Sequence, residues 1–154
     1  MSSTPAERLA ELGLTLPDVV PPLAAYVPAV RTGDLVFTAG QIPLRDGTLL
    51  ATGKVGAEVS ADDARACAEQ CALNALAAVV SVAGDLAAIE QIVKVVVYVA
   101  SAPDFTGQPA VANGASELLG AVFGEAGVHA RSAVGAASLP LDAPVEVELV
   151  ARVA

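Results

Sequence analysis

Residues 61–82 run without a single proline or glycine and are rich in alanine, which commits this stretch to one long helix. Ser60 stands before the run with Asp63 three residues on, a helix-start pattern, and Gly84 supplies the stop. A second uninterrupted segment has a different character. Residues 92–99 are a β-branched run broken only by Lys94 and Tyr98, too short for most helices, and read as a buried strand. A long helix and a buried strand in one short chain require a sheet with helical cover.

The remaining elements fall around these two. Thr4, Pro5 and Glu7 form a capping pattern that predicts an N-terminal helix running to about Leu12 and ending at Gly13. A connector containing Pro17, Pro21 and Pro22 follows. Residues 24–30 and 34–39 read as strands of a hairpin around Arg31, Thr32 and Gly33. Residues 45–56 read as a loop with a short strand at 48–51. Residues 110–123 predict a second helix ending at Gly124, and residues 132–138 and 145–153 the last two strands, which we expect to pair as a hairpin. The order predicts one α+β domain over residues 1–154, with two helices on one face of a mixed sheet and residues 1–22 as an N-terminal helix and connector. A chain of 154 residues buries enough apolar surface to fold without disulfides or a structural metal.

Composition narrows the chemistry. Hydrophobic residues are 55% of the chain but aromatics only 3%, so the core is built from Ala, Val and Leu, and backbones approach closely. The formal charge is −9, from 17 acidic against 8 basic residues. Nucleic-acid binding draws its affinity from Lys and Arg neutralising phosphates, with aromatics stacking on bases, so a nucleic-acid partner is not expected. Cys67 and Cys71 have neither a C-x-x-C nor a zinc spacing and read as two buried, reduced thiols. No basic segment leads into an apolar one at the N-terminus, and no apolar run of about 18 residues is seen, so neither secretion nor a membrane partner is expected and the protein reads as cytoplasmic. Phosphate-binding glycine loops, nucleophile elbows and dinucleotide fingerprints are absent, and the lone His129 has no Cys or His partner for a metal. No metal or cofactor is expected. His129 reads as structural or solvated.

Few residues remain to carry chemistry. Arg131 stands between Ala130 and Ser132, where nothing bulky shields its guanidinium, a setting that suits bidentate binding of a carboxylate and equally a surface arginine at a strand start. Glu146 and Glu148 alternate with Val145, Val147 and Leu149, so both lie on one strand face. That face is either wet or holds one partly buried carboxylate poised as a base. If the last two strands pair near Ser138 and Val145, Arg131 lies opposite Arg152 and Glu146 opposite Ala137, about 20 Å apart. In that register they share a site only across two subunits. Tyr26 is expected in the core, and Asn113, near a helix start, as a cap. Gly33, Gly40, Gly53 and Gly56 are spaced as turns.

Taken together and in order, these segments resemble the RidA/YjgF family, also described as endoribonuclease L-PSP or translation-inhibitor-like. The resemblance rests on Tyr26 after a proline-rich lead, on the segment from Phe37 through Gly40 and Ile42 to Pro43, on the strand around Lys94 and Tyr98, on Arg131 and Ser132, and on Val145 through Glu148. The N-terminal helix and connector look like those of a divergent subgroup with an extended N-terminus. What the resemblance implies is a chorismate-mutase-like fold, a homotrimer with clefts between subunits, and cofactor-free hydrolysis of reactive 2-imino acids to 2-keto acids and ammonia. By matched position, Arg131 would grip the carboxylate of a small metabolite and Glu146 would activate water. Tyr26 and the Gly40 backbone would line the cleft, Ile42 would pack beside the substrate, and Asn113 is the candidate for a polar residue on the second helix. Ala39 and Ala133 replace a hydroxyl residue and a cysteine common at those positions, which makes the cleft more apolar. A non-catalytic keto-acid binder is therefore an alternative. Ribonuclease or translation-inhibitor activity follows only from the family's description, and the −9 charge opposes it.

Overall fold

The computed structural model describes residues 2–154. Its main sheet has five strands in the order β1-β2-β7-β5-β6, with β1 Ala29–Thr32, β2 Leu35–Thr38, β5 Ile89–Ala100, β6 Ala130–Ala136 and β7 Val145–Val153. β5 and β6 run parallel and the other neighbours antiparallel, so the sheet is mixed. A separate hairpin of β3 Leu44–Arg45 and β4 Thr48–Leu49 fills much of the expected 45–56 loop. It turns at Asp46 and Gly47, both at positive φ, the geometry a two-residue hairpin turn demands.

Helix α2, Ala61–Ala83, and helix α3, Gln108–Phe123, cover one face of the sheet. The Ser60 hydroxyl accepts from the Asp63 amide at 3.1 Å, and Gly84 ends α2 at φ 95°. Helix α1, Pro5–Glu11, closes a full capping box: Thr4 N donates to Glu7 Oε2 at 2.8 Å and Glu7 N to Thr4 Oγ1 at 3.2 Å. α1 docks on α3 through buried Leu9. By length and composition α2 passes as a membrane span, yet 67% of its most apolar window is buried inside the domain, as a core helix requires. Cys67 and Cys71 lie in that buried surface, where burial pushes both thiols up, Cys67 to about 11.

The expected hairpin between the last two strands does not form. β6 is an edge strand paired only with β5, while β7 lies between β2 and β5. The physical reason lies in connection length. A parallel pair needs a helical crossover, and β5, α3 and β6 form that unit. Residues 137–144 then carry the chain back across, where the alternation of β7 buries Val145, Val147, Leu149, Ala151 and Val153 against the helices. The register corrects accordingly. Arg131 lies opposite Val95 and Glu146 opposite Tyr98, whereas Arg152 pairs with Leu35 and Gln91. The first strand also starts later than expected, at Ala29, and leaves residues 24–28 irregular.

Candidate functional site

Two groups of side chains form on opposite faces of the sheet. The first is built where β2 ends. The Leu149 amide donates to Thr38 Oγ1 at 3.0 Å instead of to a β2 carbonyl. Pairing resumes at Gln41, whose amide donates to Val147 O at 2.8 Å and whose carbonyl accepts from Val147 N at 2.9 Å. The intervening residues bow out and set Gly40 against Glu146. A Cβ added at Gly40 would stand 2.1 Å from Glu146 Oε1, so it is the bare backbone of Gly40 that lets the carboxyl lie where it does, and Gly40 serves close approach and not a turn. The depression above contains Tyr26, Gly40, Ile42, Pro140 and Glu146 and has a volume of about 50 Å³. Ala39 adjoins it, its amide tied to Pro28 O. Tyr26 is not a core residue: it is 45% exposed, and its hydroxyl accepts from the Leu23 amide at 3.3 Å. The proline-rich connector keeps this segment out of the sheet and holds it as a wall of the depression.

Glu146 is half-buried, and among the described residues no donor reaches its carboxylate. Burial, and secondarily the charge of Glu148, hold its pKa above the usual carboxylate value. Glu148 has a different fate, because the Tyr98 hydroxyl donates to its Oε1 at 2.6 Å. That bond raises Tyr98 to about 12. Of the two glutamates, Glu146 is the one left to take a proton.

The second group surrounds Arg131. Its register partner Val95 is fully buried, so Arg131 points to the helix side of edge strand β6, as does Ala133 opposite Val97. Nη1 donates to Asn113 Oδ1 at 2.8 Å and to Ser116 Oγ at 3.1 Å, while Nη2 reaches Pro109 O at 3.4 Å. Asn113 is therefore not a cap. It lies inside α3, whose cap position is Gly107, and faces Arg131 across to the sheet edge. Both Nη1 hydrogens are spoken for and one Nη2 hydrogen makes the long contact to Pro109 O, which leaves Nε and the other Nη2 hydrogen to meet a carboxylate. Sequence reading missed Ser116. Its one available signal was that Asn113 and Ser116 sit three apart on an apolar helix and so share a face.

Within one chain the two groups do not meet, because Glu146 and Arg131 project from opposite faces. The hairpin register that suggested their separation is not the one observed; it is the opposite faces of the sheet that keep them apart in one chain. Among the described residues no group of three or more His, Cys, Asp or Glu side chains is placed to hold a metal ion.

Residues 6–153 match the family described as "YjgF/chorismate mutase-like, putative endoribonuclease". Protein TCP17 of Trypanosoma cruzi is 42% identical over 144 residues, covering 93% of this chain and 90% of that protein. A 2-iminobutanoate/2-iminopropanoate deaminase of Escherichia coli strain K12 is 34% identical over 131 residues, covering 84% of this chain and 88% of the enzyme. The crystal structure of Atu1372 from Agrobacterium tumefaciens, a protein of unknown function, superposes with a TM-score of 0.91 at 43% identity, covering 98% of this chain and 94% of that one.

Proposed function

The chain belongs to the YjgF/chorismate mutase-like family, the RidA/YjgF group, and on that premise we propose that it hydrolyses small 2-imino or enamine acids to 2-keto acids and ammonia. The observation that carries the reading is the pinned Arg131, whose Nη1 is held by Asn113 and Ser116 of α3 and whose Nη2 makes one long contact to Pro109 O, which leaves Nε and the second Nη2 hydrogen for a carboxylate. Arg131 binds the substrate carboxylate through these two donors. A charge-assisted hydrogen bond of this kind contributes roughly 1.5 to 3 kcal/mol. Glu146 of a neighbouring subunit takes a proton from water as the water oxygen bonds to the imine carbon and the C=N electron pair moves to nitrogen. Glu146 returns the proton to the carbinolamine nitrogen. The C–N bond then breaks with its electron pair going to nitrogen as an oxygen lone pair forms the C=O bond, the hydroxyl proton passes to the departing ammonia, and keto acid and ammonium leave. A protonated imine is already electrophilic, so orienting it and one water supplies several kcal/mol of the barrier. No cofactor takes part.

In this proposal the cleft lies between subunits of a cytoplasmic homotrimer. Support comes from the opposite faces of Arg131 and Glu146 in one chain, and from the sheet face that bears Glu146, where Val30, Phe37 and Val134 are 55%, 44% and 45% exposed. Exposed apolar side chains on a sheet face that no helix covers are what a protein interface buries. The E. coli relative lends the reaction class.

The test is release of keto acid from imines generated in situ by an amino-acid oxidase. Acceleration over the enzyme-free blank is expected, and Arg131→Ala should abolish it. No acceleration with any of several amino acids overturns the reading. Ala39 and Ala133 favour one competitor, a keto-acid sensor in the same clefts. Calorimetric binding of 2-oxobutanoate without turnover of its imine would select it. The family's description also names endoribonuclease activity. RNA cleavage lost on Arg131 replacement would establish that instead, against a charge of −9.

A further inference from the structure

Behind Arg131, away from its open edge, lies a chain of hydrogen bonds whose direction is fixed. His129 Nδ1 is 2.6 Å from Gly127 O, and a carbonyl only accepts, so Nδ1 carries a hydrogen, and in the tautomer with that single hydrogen Nε2 is bare. Ser116 Oγ lies 2.8 Å from that Nε2 and must donate to it. With its one hydrogen committed, the hydroxyl presents only lone pairs to Arg131 Nη1 at 3.1 Å. The anchor is rigid, because Gly127 is buried so tightly that a Cβ would stand 2.3 Å from Leu119 O. Buried glycine, imidazole, hydroxyl and guanidinium thus stand in series. An unanchored serine hydroxyl would rotate freely and offer hydrogen or lone pair alike. This one is an acceptor only.

We infer that Ser116 and His129 are positioning residues that lock the Arg131 guanidinium with its Nε–Nη2 edge outward, and so set affinity for the substrate carboxylate. The inference rests on the carboxylate-gripping reading of Arg131. Neither residue touches the reacting atoms. Their work is to remove guanidinium rotamers that a ligand would otherwise have to freeze on binding. Because the links are in series, cutting either one releases the same constraint.

The experiment measures 2-oxobutanoate binding by calorimetry, and KM and kcat on the oxidase-generated imine, for wild type, Ser116→Ala, His129→Ala, the double variant and Arg131→Ala. Each single relay variant is expected to raise Kd and KM about tenfold, the worth of one hydrogen bond to a charged group, with kcat changed less than about twofold. The double variant should match the singles, since a broken series is not broken twice. Ser116→Thr, which keeps the hydroxyl, should restore wild-type affinity. Wild-type Kd and KM in Ser116→Ala and His129→Ala, with binding lost in Arg131→Ala, overturns the relay and leaves the carboxylate reading standing. Losses that add in the double variant, or that fall on kcat alone, also overturn it. Arg131→Ala binding as wild type, or a wild-type protein that neither binds nor turns over, overturns the carboxylate reading and the relay with it.

Discussion

Burial first and the Glu148 charge second push the Glu146 carboxyl above its ordinary value, and this has opposite consequences for activity and stability. As a base Glu146 works only when ionised, so kcat/KM should fall on the acid side at a pH above the usual carboxylate range, about 4.3 for glutamate. For stability, the folded state holds this proton more tightly than the unfolded chain. Raising the pH from below the unfolded pKa through the folded one strips it at a cost, and stability declines across that window and stays lower above it. Glu146→Gln has no proton to lose. We expect its Tm to equal wild type below about pH 4 and to exceed it at neutral pH, while hydrolysis is lost. Thermal melts at the two pH values check this. A variant that melts lower at neutral pH would show that the carboxylate is favoured where it stands.

At the scale of elements, the two main helices cross where Gly114 of α3 meets the backbone of Arg65 in α2. A Cβ at Gly114 would stand 2.1 Å from Arg65 O, and two backbones must separate to admit it. Helix propensity favours alanine over glycine by about 1 kcal/mol, but overpacking between fixed backbones typically costs 1–3 kcal/mol, so the clash wins. Gly114→Ala should lower the Tm by a few degrees, roughly 2–4 °C per kcal/mol lost. Gly120→Ala, on the same helix with nothing within 4 Å, should raise it slightly, and equal shifts for the two would refute the crossing argument. Elements of this kind were legible in the sequence because their signals are local. The caps at Thr4 and Ser60, the stop at Gly84 and the turn after Thr32 all fall where single residues dictate backbone geometry. Strand order was not legible. The alternation from Val145 onward says which face each side chain takes and nothing about which strand lies alongside, so β7 was paired with β6 instead of β5. The same limit hid half of the site. Arg131 and Glu146 carry chemistry on their faces, whereas Ser116 reads as any hydroxyl on a helix until the fold brings it to His129, thirteen residues on.

At the scale of the whole molecule, one chain holds Arg131 and Glu146 on different faces of its sheet. Arg131 stands with Asn113 at the helix-covered edge, and Glu146 lies over Gly40 on the face that carries exposed Val30 and Phe37. If the edge of one copy docks beside the open face of the next, the contact is heterologous, and a rotation that closes makes a ring in which every cleft takes its arginine and its glutamate from different chains. This arrangement has a consequence that no intrachain site shares. Arg131→Ala and Glu146→Gln should each be inactive alone, yet the first still carries an intact glutamate and the second an intact arginine. When the two are unfolded, mixed in equal amounts and refolded together, a cleft is whole if its arginine comes from one variant and its glutamate from the other. Random assortment makes that one half times one half, so about a quarter of wild-type activity should return. The readout is keto-acid release, set beside sedimentation of the mixture to show how many chains the particle holds. A site contained in one chain would regain nothing on mixing, because every chain would still lack one partner.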